Sequence, residues 1–405
     1  MKIEAPRGTF DVLPAEQPVR DAIVHAAESA ARVYGYGRIT TPTFEDTELF
    51  ARTSGAGSDV VQKEMYTFED QGERSLTLRP EGTAPVARAY IEHGLHREPQ
   101  PVKTYYVEPF FRYAAPQKGR FREFWQIGFE GMGSDDPALD AELIQLFAEL
   151  ARRAEVRYTR LELNSIGDRE CRPAYVERLR DWLAQHADEL DEDTRRKAEV
   201  SPLRVFDTKN ESVQRALASA PTIGESLCAA CAEHFASVRA CLDAYGIAYE
   251  LRPTLVRGLD YYTRTVWEFS NEELGAAQSS ICAGGRYDYL IEEIGGPPTP
   301  GVGWAAGIER MAMSRNAETP PAVLDVFFAF EDRSRLTEVL PLMAKLRAEG
   351  RACDTDYAGR SLKGQLTQAQ RLGATTVVIA HERAFTVRRR GREDIEVDRV
   401  EDLPL

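Results

Sequence analysis

The chain has 405 residues, of which 43% are hydrophobic, and carries a formal net charge of -14. This supports large folded cores in two or three domains and excludes a disordered chain. It also excludes a globally basic nucleic-acid binder, so any such contact must use local patches, which stand at Lys118, Arg120 and Arg122 and at Arg388, Arg389, Arg390 and Arg392. No window approaches the apolar run of a membrane span, and the start MKIEAPRGTF lacks the plan of a signal peptide, so no membrane contact and a cytoplasmic location are expected.

The first element is a helix over 21–34, with Ile23, Ala26, Ala27, Ala30 and Tyr34 on one face and Gly35 and Gly37 as stop signals. RITTPTFEDTELF then predicts a strand broken by Pro42; proline cannot donate to a ladder, which points to an edge strand or an inter-subunit seam. In LTLRPEGTAPVARAY, Leu76 and Leu78 alternate before Pro80 and Gly82 turn the chain into a helix with Thr83 at its N-cap. Glu81 and Thr83 are either capping groups or a carboxylate and hydroxyl presented to a ligand ammonium.

The richest stretch is YYVEPFFRYAAPQKGRFREFWQIGFEGMG, residues 105–133. Strand-like runs over 105–113 and 124–132 flank a turn containing Pro116 and Gly119, which makes an antiparallel hairpin with a cationic tip. Arg112, at the end of the first strand, presents a fork that fits two oxygens of one phosphate. Gln126 and Glu130 share a face of the second strand. Either that face holds a small polar ligand, or Arg112 and Glu130 form a structural ion pair.

An amphipathic helix over 138–154 and the strand YTRLELNSIG follow, and then the character changes to charged helices over about 169–249. Cys228 and Cys231 form one CxxC there, with His234 three residues on and Cys171 earlier; structural zinc takes four ligands, commonly two pairs, so no metal is expected. With no export signal, the six cysteines are expected as reduced thiols. VRGLDYYTRTVWEFS places Arg257 before a glycine, free to bring a permanent charge close to a ligand phosphate, and offers the hydroxyls of Tyr261 and Tyr262. CAGGRYDYLIEEIGG carries Gly284, Gly285 and Tyr287, and GVGWAAGIERM runs from a small-residue strand into a helix with Arg310. Its GxGxxxG spacing, without a βαβ unit, is not a dinucleotide loop. After a proline-containing linker, RNAETPPAVL, strands and helices alternate to the end as a compact α/β domain.

FRYAAPQKGRFREFWQIGFE resembles the second signature motif of class II aminoacyl-tRNA synthetases in the form found in the histidyl-tRNA synthetase family. RGLDYYT is similar to that family's histidine motif nearly letter for letter, GVGWAAGIERM to motif 3, the first helix and strand to motif 1, and YAGRSLKGQLTQAQRLGA to the class IIa anticodon-binding domain. The resemblance spans essentially the whole chain and implies an α+β fold: a class II antiparallel-sheet catalytic core over 1–168 and 251–318, a helical insertion over 169–250, and a C-terminal α/β anticodon-binding domain over 322–405. It implies a homodimer that uses ATP with Mg2+, L-histidine and tRNA-His.

By the same resemblance, Arg112 grips the α-phosphate of ATP and Arg310 the γ-phosphate. Arg257 steadies charge at the α-phosphate, Arg120 adds an ATP contact and Phe124 stacks on adenine. Glu81, Gly82, Thr83 and Gln126 hold the amino group of histidine; Glu130 and Tyr262 meet its imidazole nitrogens, with Tyr261 beside them, and the AGGRYD turn with Tyr287 floors the pocket. Gln117, Lys118 and Arg120 meet the acceptor end of the tRNA. The chain departs from the family pattern at Ala114, where an acid is usual, at Trp125, where histidine is common, and at Ala380 to Arg383, where Gly-Glu-Asp-Glu is usual. Two other readings share the fold: the histidine-sensing regulatory subunit of ATP phosphoribosyltransferase, which loses the motif arginines and the C-terminal domain, and a pseudo-synthetase tRNA sensor, which comes fused to kinase sequence.

Overall fold

The computed structural model describes residues 3–53, 63–208, 210–275, 279–316 and 324–405. The chain divides into two compact units, Met1–Ala317 and Glu318–Leu405. Most of the expected linker lies outside the described residues.

In the first unit, α1 (Gln17–Tyr34) buries Ile23, Ala26, Ala27 and Ala30 as its periodicity requires, and Gly35 at φ 76° ends it by returning its N–H to Ala31. The single strand expected over 38–50 is instead β1 (Gly37–Arg38), β2 (Phe44–Asp46) and α2 (Thr47–Thr53). Thr41 is drawn off the ladder because its N–H and hydroxyl both donate to the buried Glu108 carboxylate, at 3.1 and 3.2 Å. The Asp46 side chain then accepts the Glu48 N–H at 2.9 Å and starts the helix. β3 (Tyr66–Glu69) and β4 (Ser75–Leu78) join β2 in a small antiparallel sheet, and α3 (Thr83–Glu92) follows.

The predicted hairpin is present as β5 (Val102–Phe111) and β6 (Glu123–Met132), paired with Phe110 opposite Phe124 and Glu108 opposite Gln126. Gly119 at φ 71° and a bridge between Gln117 and Arg120 close its tip. Next come α4 (Pro137–Arg153), capped by Asp136, then β7 (Arg160–Ser165), α5 (Arg172–Gln185), α6 (Glu192–Val200), α7 (Glu211–Leu217) and α8 (Ala229–Tyr245). The chain returns to the sheet through β8 (Glu250–Leu251), β9 (Thr263–Ser270), β10 (Ser280–Arg286), α9 (Leu290–Glu293), β11 (Gly301–Gly307) and α10 (Ile308–Met313).

Among the described residues the main sheet has eight strands in the order β1-β5-β6-β11-β10-β9-β7-β8. Segments about 170 residues apart in sequence therefore lie side by side at its centre, where β6 pairs with β11 and sets Glu130 opposite Gly303. One face is covered by α1, α4 and α8, whose Val238 and Leu242 belong to the same core as Leu143, Phe147 and Trp304. The other face, with α3 and α5, holds a second core that includes Tyr106, Tyr261, Tyr262 and Tyr287. The helical segment 169–250 thus shares both cores with the sheet rather than enclosing one of its own. The AGGRYD stretch, expected as a turn, is mostly strand β10, whose Gly284 faces Trp267 and Trp304 where a Cβ would not fit.

In the second unit β12 (Val326–Phe330), α11 (Leu336–Ala348), β13 (Cys353–Thr355), α12 (Leu362–Arg371), β14 (Thr376–Ala380), β15 (Phe385–Arg389) and β16 (Ile395–Val397) follow the expected alternation. They form a five-stranded sheet in the order β13-β12-β14-β15-β16. Of the basic patch, Arg388 is paired with Asp394 at 2.8 Å and Arg389 donates to the Pro404 carbonyl, so two of its four cations are committed within the unit.

Candidate active site

A cavity of about 260 Å³ opens on the second-core face of the large sheet in the first unit. Its walls come from six places in the chain: the start of α3, the end of β5 with the hairpin tip, β6, the 257–262 segment, β10, and β11 with α10. One end is cationic and the other is acidic and phenolic.

Arg112, Arg120, Arg257 and Arg310 line the cationic end. The Arg112 Nε donates to the Pro80 carbonyl at 2.8 Å, and its guanidinium lies over Phe124, 5.4 Å from the ring centroid. The Arg310 Nε donates to the Gly119 carbonyl at 3.1 Å and its Nη1 to Ser280 at 2.7 Å. Carbonyls fix these two side chains without neutralising them. Burial lowers the pKa of Arg112, and burial together with the nearby Arg112 charge lowers that of Arg310. Arg257 differs: burial opposes its charge, but Glu268, bonded to its Nη1 at 2.6 Å, holds its pKa above the ordinary value. Its buried Nε has no partner among the described residues.

At the other end the Glu81 carboxylate accepts the N–H groups of Thr83 and Ala84 at 2.8 and 2.9 Å. Glu81 is therefore the group that caps α3, not Thr83 as expected; Gly82 holds the N-cap position and Thr83 lies inside the helix. That frees the Thr83 hydroxyl to donate to Glu130 at 2.8 Å, and the Tyr287 hydroxyl donates to the other Glu130 oxygen at 2.5 Å. Glu130 is wholly buried, and burial pushes its pKa up to about 8 against those two hydrogen bonds. Its carboxylate occupies the place where Gly303 lacks a side chain, since a Cβ there would lie 1.8 Å from a Glu130 oxygen. Tyr106 fills the space between Gly82 and Gly128 in the same way. The Tyr261 hydroxyl donates to Glu81 at 3.4 Å, and burial raises the Tyr262 pKa to about 12 although Arg257 pulls it down.

The sequence matches the family model described as "Histidyl-tRNA synthetase" over residues 8–311. It is 47% identical to the histidine-tRNA ligase of Desulforamulus reducens across 94% of this chain and 91% of that one. The chain belongs to the histidyl-tRNA synthetase family. The histidine-tRNA ligase of Rubrobacter xylanophilus is 46% identical over 94% of this chain and 92% of its own length. Among solved structures, the apo S. aureus histidyl-tRNA synthetase superposes with a TM-score of 0.81 at 34% identity, covering 98% of this chain and 97% of that one. A Bacillus halodurans structure titled as an ATP phosphoribosyltransferase regulatory subunit/histidyl-tRNA synthetase reaches 0.69 at 23% identity, covering 94% of this chain and 99% of that one, a likeness of fold.

Measured against the histidyl-tRNA synthetase motifs, Arg112, Arg257 and Arg310 line one cavity with Glu81, Gly82, Thr83, Arg120, Phe124, Gln126, Tyr261 and Tyr262. Glu130 and Tyr287 lie one layer beneath its wall, reached through Thr83. Gln117 and Lys118 stand exposed on the hairpin tip, outside the cavity. Ala114 is part of the wall, and the Trp125 N–H donates to Glu309. Motif reading missed Glu268 and Glu309. An acid inside the apolar and aromatic strand TRTVWEFS was the available signal for Glu268. Glu309, bonded to Arg20 at 2.7 Å, gave none beyond its place beside Arg310. No helix among the described residues is long and apolar enough to cross a membrane.

Proposed function

We propose that this chain is a histidine-tRNA ligase, which activates L-histidine with ATP and transfers the histidyl group to tRNA-His. The convergence of Arg112, Arg257 and Arg310 on one cavity carries the reading. Attack of the histidine carboxylate on the α-phosphorus builds charge on phosphate oxygens, and guanidinium groups already fixed in place stabilise it without reorganising. In this scheme Arg112 and Arg257 act at the α-phosphate and Arg310, with Arg120, at the leaving phosphates. Phe124, already stacked with Arg112, extends the platform on which adenine lies. The carboxylates at this end, Glu64, Glu268 and Glu309, are engaged by Arg120, Arg257 and Arg20, so the arginines carry most of the charge compensation beside the Mg2+ that accompanies the nucleotide.

Glu81, Thr83 and Gln126, whose buried Oε1 has no partner among the described residues, receive the histidine ammonium. Tyr262 faces the imidazole, while Glu130, with Tyr287, anchors Thr83 from below. A buried site whose polar group must pair with a ring nitrogen rejects side chains lacking one by roughly 10⁴ to 10⁵-fold, without editing. The tip, Gln117 to Arg120, meets the acceptor end of the tRNA. We further propose the division into core (1–168 and 251–318), helical insertion (169–250) and anticodon-binding domain (322–405), acting as a cytoplasmic homodimer. The test is exchange of labelled pyrophosphate into ATP, expected only when histidine is supplied. A folded protein that binds histidine but gives no exchange would establish the regulatory-subunit reading instead, which the three retained arginines disfavour.

A further inference from the structure

Where the 169–250 segment leaves the sheet, it meets the start of its own last helix, α8, and four side chains come together. The Sγ atoms of Cys171, Cys228 and Cys231 and a carboxylate oxygen of Asp168 all lie within 4.8 Å of one another. They come in two pairs of identical spacing, Asp168-x-x-Cys171 before α5 and Cys228-x-x-Cys231 at the start of α8. Counting thiols in the sequence finds one full pair only, because the fourth ligand is a carboxylate. All the cysteines are free thiols, and Asp168, Cys171 and Cys231 are buried.

The backbone is shaped around the sulfurs. Gly167 adopts φ +65°, and a Cβ there would lie 2.7 Å from the Cys171 Sγ. The turn it permits aims the Asp168 N–H at that same sulfur, 3.4 Å away. Cys228 is the N-cap of α8 and Cys231 lies in its first turn, so one helix start presents both sulfurs to the cluster. The Asp168 Oδ1 is held by the N–H groups of Glu170 and Cys171 at 3.0 and 3.3 Å, and its Oδ2 lies 3.8 Å from Arg264. Outer partners of this kind orient ligand groups. Arg172, donating to the Gly167 carbonyl at 3.0 Å, flanks the cluster with a second positive charge that would offset the net negative charge of four anionic ligands around a dication.

We propose that Asp168, Cys171, Cys228 and Cys231 form a structural site for a thiophilic divalent cation, zinc by ligand type, that ties the start of the helical segment to the start of α8. Sulfur bonds of about 2.3 Å in a tetrahedron set ligand edges near 3.8 Å, so the widest edge closes by about 1 Å, within reach of side-chain rotation. The clamp is coupled to the active site through Arg172, whose Nη2 also donates to the Tyr262 carbonyl at 2.6 Å.

The test uses the full chain purified under reducing conditions. Elemental analysis is expected to give one zinc per chain. After chelation, titration with Co2+ is expected to produce thiolate-to-metal absorption in the near ultraviolet and tetrahedral d-d bands that saturate at one equivalent. Cys231→Ser and Asp168→Ala lose the bound metal, whereas Asp168→Cys retains it and raises the thiolate absorption. Metal-free wild-type protein that is folded and gives no cobalt spectrum overturns the proposal without recourse to any variant. Equal metal content in Cys231→Ser, or a mass two hydrogens lower from a disulfide among these thiols, overturns it as well.

Discussion

Arg286, buried, and Arg310, half-buried, are both arginines of the first unit, and they are built in opposite ways. Arg286, on β10, is fully enclosed: its Nε lies 3.1 and 3.2 Å from the Asp140 oxygens, its Nη1 donates to the Ser134 carbonyl at 2.9 Å and to Asp288 at 3.3 Å, and Asp140 also receives its Nη2. Although burial opposes its charge, Asp140 holds its pKa above the ordinary arginine value. Arg310 hydrogen-bonds to two carbonyls, has no carboxylate within ion-pair distance among the described residues, and is pushed down by burial and by Arg112. The contrast separates a cation whose counter-ion is part of the fold from one that, in the proposed reaction, receives its counter-ion with the substrate. Arg257 stands between them, paired with Glu268 on one nitrogen and unpartnered on Nε.

The largest effect expected from this contrast belongs to the structural arginine. Arg286→Met leaves Asp140 buried without its cation, a loss of about 3–5 kcal/mol in chemical denaturation. Exchange activity per folded molecule should persist. Arg310→Ala is expected to do the reverse, lowering the pyrophosphate exchange rate by roughly 10² to 10³-fold, about 3–4 kcal/mol. Its denaturation midpoint should hold or rise, because a half-buried charge repelled by Arg112 is removed. Equal stability losses in the two variants would break the distinction.

The hairpin and its residues were legible because local signals agreed: aromatic strands, a Pro-Gly turn, and a two-residue period that set Gln126 and Glu130 on one face. Motif 3 and the C-terminal alternation were legible for the same reason. The break at Thr41 was not, since what dissolves that strand is Glu108, 67 residues away and held in turn by Arg79 at 2.5 Å. Nor was the capping swap at α3, where Glu81 reaches forward and so leaves Thr83 free for Glu130. The partners Glu268 and Asp168 were hidden for a further reason. Each matters through a neighbour that only the folded sheet supplies, Arg257 for the one and the paired cysteines for the other.

Glu130 extends the contrast to acids, since burial works on it as it does on Arg310, and its hydrogen bonds come from hydroxyls rather than from a cation. The folded state keeps its proton up to a pKa of about 8, while the unfolded chain releases it near the ordinary 4.5. Between those values the native state binds more protons, so this group's contribution to stability is complete below pH 4.5 and is lost as pH rises toward 8. Glu130→Gln, neutral at every pH, should flatten the fall in denaturation midpoint across that window. An unchanged pH slope would mean that the wild-type carboxylate is ionised throughout.

The smallest effect is expected at the hairpin tip, where the same distinction recurs in solvent. Arg120 is paired with Glu64 at 2.5 Å and lines the cavity, whereas Lys118 is exposed with no ion pair among the described residues. A lone exposed lysine has no counter-ion to lose on binding a polyanion except the diffuse salt around it. Its contribution to tRNA affinity is therefore mostly counter-ion release, which carries a defined salt signature. Lys118→Ala should weaken tRNA-His binding only a few-fold near physiological salt and reduce the slope of log affinity against log salt by about one. Pyrophosphate exchange, which needs no tRNA, should be unaffected. Were the exchange rate to fall with the affinity, Lys118 would have to be reaching the nucleotide, and the tip would belong to the cationic end of the cavity rather than to the tRNA.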